Sequence, residues 1–530
     1  MTRDLFTRRS FLRAAGCAAG SALAPSLIGC AAPGSRWTKD PFSLGVASGD
    51  PAHDGFVLWT RLAPEPLSAD PATPGGMSGG PVPVGYEIAA DPAMKTVLRR
   101  GTALAEPDFA WSVHVEVAGL APARPYWYRF AVGSAESPIG RAMTAPLPGA
   151  PLQRLRFGFV SCSNYELGYF SAYRHLAEEQ PDFAIFLGDY IYEFVGRRPG
   201  VRRHSDGIEA SDLRTYRNRY AQYRTDPDLQ RLHAEVPALM TWDDHEVQND
   251  YADQWSETFD DPAKFLKRRA AAYRAFYEHM PLRPSLSHPD GPYMRIYDRF
   301  AFGDLAAFSL LDGRQYRSRE ACYAPPDKGG GHQETETGCP ELLDPRRSFL
   351  GLAQEQWLYD GLARSRTRWN VIAQDQLMAE FRERTGDGSI AYWTDDWNGY
   401  PAARKRLLTH LRDAAIRNPV VIGGDIHSFW ANDLKLDSTD PRAPVIATEF
   451  VGTSITSFGP PYDTFIQWMP DNPHVHFFES RRRGYVAVDL APERMEVAMR
   501  VVSDVTDPKA TIATLKNFVV ENGRAGPLEA

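Results

Sequence analysis

The chain has 530 residues, with 59 Lys and Arg against 67 Asp and Glu, a formal net charge of −8. Hydrophobic residues make up 43% and charged residues 24%, a globular composition that excludes collagenous, coiled-coil and wholly disordered chains. The acidic balance argues against a non-specific nucleic-acid binder, which needs basic surface to displace counterions, and five cysteines are too few to frame a fold of this length.

The N-terminus reads as a segment apart from the fold. Thr7-Arg8-Arg9-Ser10-Phe11-Leu12 precedes a weakly apolar run, Ala14 to Ile28, shorter than the roughly 20 residues that span a bilayer. Residues 1–29 resemble a twin-arginine export signal, with a disordered basic arm as the alternative. Leu27-Ile28-Gly29-Cys30 resembles a lipobox in which Cys30 is lipidated, and plain cleavage nearby is the alternative. The expectation is export by the twin-arginine translocase to the periplasm, cell surface or medium, with Cys30 as a candidate lipid anchor.

Residues 38–148 alternate apolar and polar side chains in short runs divided by Gly, Pro and Asp. Trp111-Ser112-Val113-His114-Val115-Glu116-Val117 places Trp and three Val on one face, the pattern of a half-buried strand. A turn at Gly119-Leu120-Ala121-Pro122 leads into the aromatic strand Tyr126–Phe130. This stretch resembles the turn-and-tyrosine segment of fibronectin III or Ig-like modules and predicts a small β-sandwich, read as structural because it gathers no titratable cluster.

After the Pro-rich linker Ala145–Pro151 the pattern becomes strand–helix alternation, an α/β catalytic domain over residues 152–505. Strands are predicted at Leu155–Val160, Phe183–Leu187, Ala238–Thr241, Leu305–Leu311, Asn370–Ile372 and Val420–Ile422. Helices are predicted at Phe170–Glu179, Asp212–His233, Lys264–His279, Leu352–Leu362 and Ala403–Ile416. Cys322 and Cys339 sit in the polar loop Ser318–Pro345, as a disulfide in an oxidising compartment or as two independent thiols. Residues 506–530 read as a terminal helix or tail, from the apolar spacing of Ile512 to Val520.

Four buried strands end in ligand-type residues: Ser161-Cys162-Ser163-Asn164, Gly188-Asp189-Tyr190-Ile191-Tyr192-Glu193, Trp242-Asp243-Asp244-His245-Glu246 and Gly424-Asp425-Ile426-His427-Ser428. One such Asp alone is more often a cap or a turn. Four together place several carboxylates where α/β folds build sites, with no matching row of Lys or Arg, and bound cations would resolve that cost.

This set resembles the PhoD-type alkaline phosphatase/phosphodiesterase family. Flanking segments agree: Leu311-Asp312-Gly313-Arg314-Gln315-Tyr316-Arg317, Leu350-Gly351 with Gln356-Trp357-Leu358, and Glu449-Phe450-Val451-Gly452-Thr453-Ser454. The resemblance implies an α/β fold, a metallophosphoesterase-type double β-sheet flanked by helices, preceded by the small β-sandwich. It implies one ferric ion and calcium, with Cys162, Asp189, Tyr192 and His427 on iron and Asp189, Asp244 and Asp425 on the calcium side. Asn249 is a looser candidate for calcium, and Asn164 for contact with bound phosphate. Cys162 stands where the wider superfamily has Asp-x-His, and Asp425-x-His427 where it has His-x-His. Both changes suit Fe(III) and calcium better than two zinc ions.

The implied reaction is hydrolysis of phosphate mono- and diesters by attack of a metal-bound oxygen. His245 is a candidate to protonate the leaving group or bind phosphate, or else a structural histidine. Arg314 is either a phosphate clamp or a partner in a salt bridge. No Ser sits in a strand-to-helix nucleophile elbow of the Gly-x-Ser-x-Gly type, and no phosphate-binding Gly-x-x-x-x-Gly-Lys loop is present, which removes support for acyl transfer and nucleotide triphosphate use. A phospholipase D-like phosphodiesterase is the nearest alternative; an exported metal-binding redox protein and a surface lipoprotein fit the ligand set less well.

Overall fold

The computed structural model describes residues 37–196 and 200–530, so the twin-arginine segment and Cys30 lie outside the described residues. Two large sheets carry the catalytic part. In the ten-stranded sheet, Leu155–Val160, Phe183–Leu187 and Ala238–Thr241 run parallel at the centre. Gly484–Leu490, Arg494–Val502 and Ile512–Glu521 extend it antiparallel on one side. In the seven-stranded sheet, Ala306–Leu310, Trp369–Ala373, Pro419–Gly423 and Ala447–Val451 are parallel neighbours. Strands of this kind, Val-, Ile- and Phe-rich and buried at every position but Arg156, belong to sheets covered on both faces. The sheets pack on each other through Phe157, Phe183, Ile185, Phe302, Phe308 and Val371. Helices Ser171–Glu178, Leu213–Arg224 and Pro262–His279 cover the far side of the first sheet, and Gly351–Arg364 and Pro401–Asp413 cover the second.

The sandwich is present, but one of its leaves is not separate. Val46–Ala52, Gly55–Arg61 and Ser112–Val117 extend the ten-stranded sheet, joined by parallel pairing of Gly49 with Ala238. The opposing leaf is built from Val82–Ala89, Val97–Ala105, Arg124–Val132 and Gly140–Thr144. Trp111, Val113, Val115 and Val117 enter the core between the leaves, as their alternation requires. The Tyr126 hydroxyl donates to Ala121 O at 2.9 Å, pinning the turn that precedes its strand. The polar face of Ser112–Val117 meets the catalytic part: His114 stacks on Tyr277 at 4.4 Å, and its Nε2 lies 3.0 and 2.9 Å from the carbonyls of Tyr277 and Met280.

Two local readings are corrected. The helix expected over Asp212–His233 is two helices, Leu213–Arg224 and Pro227–Glu235, because Asp226 caps a new start by accepting from Asp228 N and Leu229 N, with Pro227 at its first position. The terminal helix expected within 506–530 is the strand Ile512–Glu521, which pairs with Arg494–Val502 at the sheet's edge. Phe518 and Val520 alternate into the shared core, so period two fits these residues as well as a helical spacing does. Cys322 and Cys339 form the disulfide.

Candidate active site

The strand ends of both sheets converge. Cys162 follows Leu155–Val160, Asp189 follows Phe183–Leu187, and Asp243 and Asp244 follow Ala238–Thr241, all from the first sheet. Asp425 and His427 follow Pro419–Gly423 in the second. Ligand atoms of Cys162, Asp189 and His427 lie within 4.8 Å of one another, as do those of Asp189, Asp243, Asp244 and Asp425 and those of Asp189, Asp244 and His245. Asp189 belongs to all three groups.

The backbone is bent to make this possible. Cys162, Asp189, Asp425 and His427 have φ of 60°, 53°, 59° and 53°, the left-handed region that side chains other than Gly seldom occupy, and such strain gathers at functional sites. Gly188, before Asp189, has φ 100°, and a Cβ there would stand 2.4 Å from Asp243 Cβ. Glycine therefore lets the two acidic loops touch.

The Tyr192 phenol oxygen lies 2.9 Å from Asp189 Oδ2, 3.0 Å from His427 Nε2 and 2.7 Å from Ser457 Oγ. His427 Nδ1 donates to Phe458 O at 2.8 Å, which leaves Nε2 with its lone pair toward Cys162 and Asp189. Glu246 fastens the loops. Its carboxylate accepts from the main-chain N–H of Asp189 at 3.1 Å, Tyr190 at 2.5 Å and Asp243 at 2.8 Å. His245 Nδ1 donates to Glu193 Oε2 at 2.8 Å, and its ring packs on Tyr192 at 4.2 Å.

Negative charge exceeds what the protein supplies to neutralise it. Burial pushes the carboxyls of Asp189, Asp243 and Asp425 up, with neighbouring carboxylates adding to the effect. Burial also raises the Cys162 thiol and the Tyr192 phenol, helped by the Asp189 charge. For Asp244 burial is outweighed by His245 and Arg314, which hold its carboxyl below the usual range. His427 is pushed down to about 3 by burial, with Arg483 and His245 acting in the same direction. Buried Asp189 Oδ1 and Asp243 Oδ2 have no hydrogen-bond partner. Unpaired buried carboxylate oxygens are costly, and cations are the partners that a thiolate, a phenolate, an imidazole and several carboxylates suit.

Three further predicted residues are held by protein partners. Arg314 is fully buried, and its guanidinium binds Asp243 and, in two-pronged fashion, Asp395 at 2.8 and 2.9 Å. Of its two readings, the structure gives the salt bridge. Asn249 follows the Asp243–Asp244 loop, and its main-chain N–H donates to Glu193 Oε1 at 2.9 Å. Asn164 is buried beside Cys162, with Oδ1 accepting from Glu166 N at 3.0 Å. Asp243 joins Asp244 in the cluster although the sequence reading chose only Asp244. Asp375 was missed altogether: it is buried, neither oxygen has a hydrogen-bond partner although Arg314 Nε lies 3.9 Å from Oδ2, and it follows Trp369–Ala373 just as the other acids follow their strands.

A double sheet with thiol, phenol, imidazole and carboxylate donors gathered at its strand ends defines a metallophosphoesterase-type protein. The profile of the PhoD-like phosphatase family matches residues 157–499, and that of the PhoD-like phosphatase N-terminal domain matches residues 29–146. The chain is 42% identical to alkaline phosphatase D of Bacillus subtilis over 538 aligned positions, covering 99% of this chain and 89% of the relative. A solved structure described as that of PhoD superposes with a TM-score of 0.86 at 42% identity, covering 93% of this chain and 92% of the other. The chain belongs to the PhoD-like phosphatase family, hydrolases of phosphoric ester bonds, as the resemblance in its motifs implied.

Proposed function

We propose that the protein is an exported, metal-dependent phosphoesterase that hydrolyses phosphate mono- and diesters. The observation that carries this reading is the meeting of Cys162, Asp189, Tyr192 and His427 with Asp243, Asp244 and Asp425, with buried carboxylate oxygens left unpartnered. Cys162, Asp189, Tyr192 and His427 would hold ferric iron, to which thiolate and phenolate are strong donors. Asp189, Asp244 and Asp425, with Asp243 beside them, offer the oxygen ligands calcium prefers. When bound, such ions supply Lewis-acid stabilisation of phosphoryl charge and acidify water.

The chain's own groups do the rest. The Glu193 carboxylate accepts the hydrogen bond of His245 Nδ1–H and fixes the ring so that Nε2 faces the acidic cluster, where it would hold the proton a departing alkoxide needs. Glu246 sets the distance between the Asp189 and Asp243 loops. The export part of the reading rests on Arg8-Arg9 and on the Cys322–Cys339 bond, which suits an oxidising compartment, with Cys30 as the lipid attachment point.

Metal analysis of the full chain together with hydrolysis of bis(p-nitrophenyl) phosphate tests the reading. Asp189→Asn is expected to lose iron and esterase activity together. Retention of both would sink it.

A further inference from the structure

Arg483 stands where the loops behind the proposed iron ligands meet. It is partly buried, and its Nη1 donates to the main-chain oxygen of His427 at 2.6 Å and to Ser454 Oγ at 2.9 Å, with Thr453 Oγ1 at 3.0 Å. Nη2 donates to the Ser480 carbonyl. Gly459 permits this gathering: a Cβ there would lie 2.2 Å from Ser480 O, 2.7 Å from Arg483 Nη2 and 2.7 Å from His427 O.

The contacts continue to two more of those ligands. Ser454 Oγ donates to Ser457 O at 2.5 Å, and Ser457 N donates to Cys162 O at 3.4 Å. Ser457 Oγ lies 2.7 Å from the Tyr192 phenol oxygen and 3.1 Å from Cys162 O. The next carbonyl, Phe458 O, accepts from His427 Nδ1. One guanidinium thus holds the main chain of His427 and the loop that grips the His427 ring, Tyr192 and Cys162. The four oxygens it meets are all neutral. Glu479, four residues back, is taken by Arg481 through both oxygens at 2.9 and 2.7 Å. Burial works against the Arg483 charge, while Cys162, Glu479 and Tyr192 favour it.

We propose that Arg483 is the positioning residue of the iron side of the site, holding His427 directly and Tyr192 and Cys162 through Ser454 and Ser457. The proposal rests on the metal-dependent phosphoesterase reading. A thiolate and a phenolate on one ion bring negative charge that the neutral oxygens around Arg483 do not, and the guanidinium faces it from the side away from the acidic cluster's own cation, Arg314. The fork geometry is needed as well as the charge, because Nη1 and Nη2 reach different loops.

The test uses metal-loaded full-length protein and reads the visible charge-transfer band of a phenolate on ferric iron, iron retention against a chelator, and ester hydrolysis. Arg483→Met is expected to shift the band and to weaken iron retention by about 10- to 100-fold, as outer partners of metal ligands do. Calcium retention, which rests on Asp244 and Asp425, should change less, and kcat should fall with KM little altered. Arg483→Lys keeps the charge without the fork and should lie between the wild type and Arg483→Met. A lower melting temperature in Arg483→Met with the wild-type band and wild-type iron retention overturns the proposal. If Arg483→Met does not fold, Arg483→Lys and Ser454→Ala, which cuts the step from Arg483 to Ser457, carry the test, and an unshifted band in both overturns it. A band that responds to Arg483 in a protein without esterase activity leaves the positioning role standing and counts against the phosphoesterase reading. A wild type that takes up no iron removes both.

Discussion

Arg314 and Asp395 face each other in the interior as a two-pronged pair, Nη1 to Oδ1 at 2.8 Å and Nη2 to Oδ2 at 2.9 Å, both side chains out of reach of solvent. The same guanidinium reaches Asp243 through Nε. With Arg317, which binds the same Asp395, it places fixed positive charge in a region crowded with acids, and for Asp243 it is the paired cation. Truncating one partner of a buried ion pair leaves the other uncompensated, at about 3–5 kcal/mol. Arg314→Met should therefore move the denaturant midpoint sharply downward. A midpoint close to wild type would return Arg314 to the role of substrate clamp.

Glu246 acts on the site only through main-chain N–H groups. Replacing one carboxylate oxygen with an amide, as in Glu246→Gln, turns a donor toward a donor at Asp189, Tyr190 or Asp243. Groups that orient ligands in this way change metal affinity by about 10- to 100-fold when altered. Chelator competition should show weaker metal retention, with the largest fall for the ion that the Asp189 loop holds.

Two groups at the sandwich junction give opposite pH slopes. Burial pushes the Asp50 carboxyl up from 3.8 to about 7, against the opposing influence of Arg283. The folded state then holds its proton more tightly than the unfolded chain, so stability falls as pH rises from about 4 to about 7. Burial pushes His114 down from 6.5 to about 4, so stability falls as pH drops through that window. Thermal melts of Asp50→Asn should lose the first slope and gain stability at pH 8, where the wild type carries the buried charge. An unchanged melting profile from pH 4 to 8 would contradict this.

Removing metal should destabilise the fold as well as the activity. Ions bound only by the native state stabilise it by mass action, and their departure leaves Asp189, Asp243, Asp244 and Asp425 crowded together. Calorimetry after dialysis against chelator should show a lower Tm, restored by adding iron and calcium. In Asp244→Asn, with one charge fewer in the cluster, the apo protein should fall less far below its loaded form than in the wild type.

Export is tested in cells. A double substitution, Arg8→Lys with Arg9→Lys, should leave the full-length precursor in the cytoplasm while wild-type protein is found outside it. Cys30→Ala should release into the soluble fraction any portion that is membrane-tethered. Equal distribution of both variants and wild type would remove the export reading.

Much of the fold was legible because the deciding signals are local. Leu155–Val160, Phe183–Leu187 and Ala238–Thr241 are short apolar runs bounded by polar ones, and their limits coincide with the observed strands. The acids were legible because they sit two or three residues beyond those strands. What escaped depends on contacts between distant segments. That Arg314 is spent on Asp243 and Asp395 is decided by residues 71 and 81 positions away. Asp375 stands at a fifth strand end, and the rule that found the other acids would have found it had it been applied there. Ile512–Val520 failed for a different reason: apolar spacing at a sheet edge satisfies both periods, and only the partner strand Arg494–Val502 chooses between them.

The pairing of Gly49 with Ala238 gives the N-terminal strands a bearing on catalysis that their chemistry does not suggest. Without them, Ala238–Thr241 would present a raw, hydrogen-bond-hungry border, and the loop beyond it carries Asp243 and Asp244. A truncated catalytic half would expose an adhesive flank within a few residues of its proposed metal ligands. The sandwich is in this sense a selvedge, finishing the cloth so that the pattern at its centre does not fray.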